Sequence, residues 1–175
     1  MTTAFEELVR LFDERDIGYS TSDDQVLRTD LRGDAAMYRV IARVEADSDL
    51  FQVFGYSPIR VPDGCRPAIA EAVARANYGL RLGKFELDLD DGDLRFQTAQ
   101  IMTGDSVGEE VIDRMISATL NMLDTYFPAF MSVIYANELP KDAVERVEAV
   151  YRRAGEANGD GVVESEGADE EQADE

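Results

Sequence analysis

Three stretches of alternating character, Val26 to Leu31, Met37 to Ala46 and Leu50 to Tyr56, follow one another closely. Gly33-Asp34 and Asp47-Ser48-Asp49, which are turn-forming residues, separate them. A period of two makes each stretch a strand with one apolar face, and connections this short join only antiparallel neighbours. The chain is thereby committed to a meander whose apolar face must be covered. A first cover stands upstream, where Phe5, Leu8, Val9 and Phe12 recur at helical spacing behind a Thr3/Glu6 capping box. That helix is expected to end near Ile17 and Gly18.

Downstream, Pro67 suits the first turn of a second helix, whose apolar stripe is Ile69, Ala72, Val73, Ala76 and Leu80. Phe85 to Leu89 and Leu94 to Thr98 read as a hairpin closed by Asp91-Gly92 in a type I′ turn. A two-residue loop sets Leu89 opposite Leu94, Leu87 opposite Phe96 and Phe85 opposite Thr98. Ser106 and Glu109 have capping-box spacing and open a long helix carrying Val107, Val111, Met115, Ala118, Met122, Tyr126 and Phe130. Pro128 removes a backbone donor and is expected to kink or interrupt it. A short last helix follows Leu139-Pro140 through Val144, Val147 and Tyr151. The predicted fold is one α+β domain over residues 1–155, with a five-stranded antiparallel sheet in the order α-βββ-α-ββ-α plus a short C-terminal helix. Residues 156–175 hold nine acids and no base, and read as a disordered acidic tail.

The 175 residues carry a formal net charge of -20, which repels phosphate backbones and anionic lipid, so no nucleic acid or membrane partner is expected. No apolar run is long enough to span a bilayer and no basic leader precedes one, which points to the cytoplasm. The sequence has no His and a single Cys, which removes Ser-His and Cys-His nucleophile pairs and zinc constellations. No catalytic residue, metal site or cofactor is assigned. The carboxylates Asp88, Asp90, Asp91 and Asp93 have the spacing of a solvated turn, with Gly92 misplaced for a calcium loop. The run from Glu156 to Gly161 comes closer to that spacing but has Gly167 where a bidentate carboxylate is needed.

Three features remain as candidates for binding. Ile69, Val73, Ala76 and Asn77 on the Ala-rich second helix form a possible homodimer surface, since small residues allow another backbone to come close. Met122, Tyr126 and Phe130 form a possible client-binding stripe, because Met and aromatic side chains refit to varied partners, although such stripes usually form core. Cys65, beside Arg66 at a helix start, is a possible redox thiol.

Ala76-Asn77, Gly83-Lys84-Phe85-Glu86-Leu87-Asp88, Asp91-Gly92-Asp93-Leu94-Arg95-Phe96, and Tyr126-Phe127-Pro128-Ala129-Phe130 with Val133 together resemble the YbjN-type bacterial sensory transduction regulators. The order of elements resembles the fold of type III secretion chaperones. The resemblance spans residues 3 to 138 and implies a small cytoplasmic protein, often dimeric, with a regulatory or chaperone-like role and no catalytic residues. The expected function is a non-catalytic interaction module that holds a segment of a client protein as a dimer. The alternative is a small-ligand or redox sensor using Cys65 or a pocket between helix and sheet.

Overall fold

The computed structural model describes residues 3–102, 104 and 106–157; the acidic tail beyond them, with its calcium-like spacing, lies outside the described residues. Ten elements follow in order: α1 (Ala4–Glu14), β1 (Ser20–Asp23), β2 (Val26–Arg32), β3 (Met37–Glu45), β4 (Leu50–Tyr56), α2 (Arg66–Gly79), β5 (Lys84–Leu87), β6 (Leu94–Ile101), α3 (Glu109–Tyr135) and α4 (Pro140–Ala157). The α+β class and the meander agree with expectation. The sheet has six strands rather than five, antiparallel throughout, in the order β1-β2-β3-β4-β6-β5. The additional strand β1 is Ser-Thr-Ser-Asp and wholly exposed, so no apolar alternation announced it.

Strands β2 to β6 send alternate side chains beneath the helices. Leu27, Tyr38, Val40, Ala42, Val44, Phe51, Val53, Phe85, Leu94 and Phe96 are buried on that side. Two apolar clusters result. One gathers α1, the meander and the N-terminal half of α3; the other gathers α2, α4, β5, β6 and the C-terminal half of α3. Helix α3 belongs to both, and Leu120 touches each.

The long helix differs from its sequence reading in three respects. Its N-cap is Gly108, with no side-chain cap, so the Ser106/Glu109 box does not form. Pro128 lies on its exposed side and does not interrupt the 27-residue helix. Its buried stripe includes Ile112, Ile116, Thr119 and Leu123 in place of Val111, which is exposed. The cause is Gly55 on β4: a Cβ built there would meet Leu123 Cδ1 at 2.5 Å and Thr119 Cγ2 at 2.6 Å. The helix therefore seats Thr119 and Leu123 directly on the strand, and the stripe rotates accordingly. Helix α1 also stops at Glu14, a turn earlier than expected.

The hairpin register is shifted by two residues from the expected one: Leu87 pairs with Leu94, Phe85 with Phe96 and Glu86 with Arg95. Gly92 has φ +77°, but Asp91 has no positive φ, so the loop is not a type I′ turn. It is a wider loop held from within. Asp88 accepts from the Asp90 N–H at 2.8 Å, Asp91 accepts from the Asp93 N–H at 2.9 Å, and the Gly92 N–H donates to the Asp88 carbonyl at 2.9 Å. Arg66 ties the loop to α2 by donating to the Leu89 and Asp90 carbonyls at 3.0 and 3.1 Å. Gly92→Ala combines a strained backbone with contact against the Val61 carbonyl. We expect a loss of about 2–4 kcal/mol, read by urea unfolding.

Candidate functional site

The residues singled out for dimerisation are interior packing. Ile69 and Ala76 are fully buried and Val73 nearly so, in the cluster that includes Ala143, Val144 and Val147 of α4. Asn77 is occupied too: its Nδ2 donates to the Phe85 carbonyl at 2.9 Å, and its Oδ1 accepts from the Phe85 N–H at 2.7 Å. Phe85 faces Phe96 in a pair whose backbone groups point away from β6. Asn77 thus completes the outer edge of the sheet where another strand would otherwise add. Asn77→Ala should cost about 1–3 kcal/mol and speed exchange of the Phe85 amide proton; unchanged protection at Phe85 would contradict this role.

The expected client stripe is also core. Phe130 and Tyr126 are buried and Met122 is half-buried. Around Phe85, the rings of Phe96, Tyr126 and Phe130 lie 4.8, 5.2 and 5.2 Å away. The four motifs read from the sequence thus converge on one aromatic cluster, and their role is packing. Cys65 is half-buried, with Sγ 4.0 Å from the Ile134 carbonyl. The Arg66 guanidinium beside it is engaged with Asp63, Val61, Leu89 and Asp90, and not with the thiol. Among the described residues, no three His, Cys, Asp or Glu side chains are grouped to hold a metal ion.

What sequence reasoning passed over as merely wet is the other face of the sheet. Among the described residues no helix covers it, since the buried residues of α1, α2, α3 and α4 all pack against the opposite side. Six bases stand on this open face, Arg28, Arg32, Arg39, Arg43, Lys84 and Arg95, against the acids Asp23, Asp30, Glu45 and Glu86. Its centre is Ile41 paired with Phe54, and beside them Tyr56 paired with Arg39 and Arg95, all by register. Ile41, Phe54 and Tyr56 are half-buried by their neighbours. The Arg95 guanidinium lies over the Phe54 ring at 4.8 Å from its centroid and 5.9 Å from that of Tyr56. Partial burial would raise the Glu86 carboxyl, but hydrogen bonds from Lys84 and Arg95 outweigh it and hold Glu86 below its ordinary value. Arg43 pairs with Glu45 at 3.3 Å. Arg28, Arg32 and Arg39 make no ion pair among the described residues. At one end a shallow cleft is lined by residues that include Arg39, Tyr56 and Arg60 and the acids Asp30 and Asp93.

The arrangement suits recognition more than chemistry. It sets exposed arginines beside half-buried rings on a paired sheet. Residues 4–132 match the family model described as "Putative bacterial sensory transduction regulator", YbjN. The chain belongs to the YbjN family. A search of curated proteins finds no significant match. Among solved structures, the fold is similar to the crystal structure of YbjN from E. coli, described there as "a putative transcription regulator". That comparison has a TM-score of 0.52 at 14% identity and covers 78% of this chain and 93% of the other. The match to the YbjN family ends within α3, so α4 lies beyond the matched residues. Yet α4 is integral here: Glu148 accepts from the Tyr126 hydroxyl at 2.9 Å, and Arg146 donates to Glu138 and Ser132.

Proposed function

We propose that this YbjN-family chain is a regulatory, non-catalytic protein-interaction module of the cytoplasm, and that the open sheet face is its binding surface. The observation that carries the reading is the face itself: half-buried Ile41, Phe54 and Tyr56 flanked by Arg28, Arg32 and Arg39, which make no ion pair among the described residues. Aromatic residues and arginine are the side chains most enriched where proteins bind proteins. The family's description as a regulator supports a role exercised through a partner. No helix of the described chain is long and apolar enough to cross a membrane. A homodimer, in this reading, uses this face or another exposed surface, because the Ile69, Val73 and Ala76 stripe is packed beneath α4.

The test is a photo-crosslinking residue placed at Phe54 in the full chain in cells, with the same residue at Arg114, which is well exposed on α3, as control. A discrete protein adduct at Phe54 and none at Arg114 is the expected result. Adducts of equal yield at both positions, or none at Phe54, would sink the assignment of this face.

A further inference from the structure

We infer that the open sheet face is the docking site of the chain's own acidic C-terminal segment, residues 158–175, so that a partner must displace it. This rests on the reading of that face as the binding surface and adds its regulation. The segment carries eight acids, Asp160, Glu164, Glu166, Asp169, Glu170, Glu171, Asp174 and Glu175, and no base. On a chain of net charge -20, the face holds six bases against four acids. Here Arg28, Arg32 and Arg39 are exposed and lack carboxylate partners among the described residues. A run of acids is drawn to such a group of uncompensated cations.

Reach does not limit the contact. Beyond Ala157, eighteen residues extend to at most about 60 Å, whereas the whole of α4 is about 27 Å long. Val162 and Val163, the apolar pair within the segment, have Ile41 and Phe54 to cover. Tethering keeps the segment at a high effective concentration, so weak pairing suffices in cis.

The experiment uses two full-length proteins: the native chain, and one in which the eight acids of residues 158–175 are changed to their amides. A fluorescent peptide of sequence 158–175 is titrated into each at low salt, then at high salt. We expect at least tenfold tighter binding to the amide variant, whose face is free, than to the native chain. That binding should weaken at high salt and fall at least tenfold when Arg28→Ser, Arg32→Ser and Arg39→Ser are combined in the amide variant. These three side chains are exposed, and an unchanged melting curve confirms the fold. Equal affinity for both proteins, or none for the amide variant, overturns the inference. The Phe54 crosslink reports separately on the face, so its success or failure is distinguishable from that of the docked segment.

Discussion

Between about pH 10 and about pH 12, the chain should lose about 5 kcal/mol of folding stability, through two tyrosines alone. Tyr38 is fully buried; burial first, then its hydrogen bond to Asp124 at 2.9 Å, pushes its phenol well above the ordinary value of 10.0. Tyr126 is raised in the same way by burial and by its bond to Glu148. A group raised in the folded state holds its proton there while the unfolded chain gives it up. The contribution is thus complete below the unfolded value and is lost as the pH climbs past it. Each phenol removes about 1.4 kcal/mol per pH unit above that point. Such a loss is comparable with the whole stability of a domain this size, so urea midpoints should collapse across this window. The double variant Tyr38→Phe/Tyr126→Phe should flatten the alkaline limb even if it is less stable at neutral pH. If both phenols titrate near pH 10 in the folded chain, by their phenolate absorbance, the account is wrong.

Asp124→Ala should cost about 3 kcal/mol, a large effect for a partly exposed polar residue. The Asp124 carboxylate on α3 accepts from the Asp34 N–H at 2.8 Å, the Ala35 N–H at 2.9 Å and the Tyr38 hydroxyl. It clamps the β2–β3 turn to the helix, and hydrogen bonds to a charged acceptor are the stronger kind. Asp124→Asn keeps one accepting oxygen and turns an amide toward a backbone donor, so about half the loss should return. Urea unfolding of the two variants checks this, and equal stability of Asp124→Ala and the native chain would remove the clamp from the argument. The Ala variant should also release the amide protons of Asp34 and Ala35 to exchange.

The sequence made legible those elements in which apolar spacing and burial coincide. Strands β2, β3 and β4 and helices α1 and α2 follow from alternation or helical spacing, because each has one buried side. Strand β1 is held by backbone pairing without apolar content, so nothing in Ser20–Asp23 marks it. The hairpin register slipped because the Asp88 and Asp91 carboxylates accept from the Asp90 and Asp93 N–H groups within the loop, and because Arg66, distant in sequence, binds the loop. Asp124 reads as one more surface acid on a helix, since its partners come from a turn far earlier in the chain. The open face escaped for a related reason. Arg28, Arg32, Arg39 and Arg43 each look like solvated strand positions, and only the register assembles them into one basic field on an acidic protein. The net charge is an average, and a binding surface is a departure from it.

The two edges of the sheet differ in a way that bears on selectivity. Asn77 occupies the backbone groups of Phe85 at the β5 edge, and β1 at the other edge is four residues long with an irregular register. Strand addition lets a sheet grip almost any extended peptide through main-chain groups common to all sequences. Here that universal handle is withdrawn at one end and curtailed at the other. On the proposed reading, a partner at this face would be selected by its side chains, one at a time, against the arginines and rings, and not by its backbone.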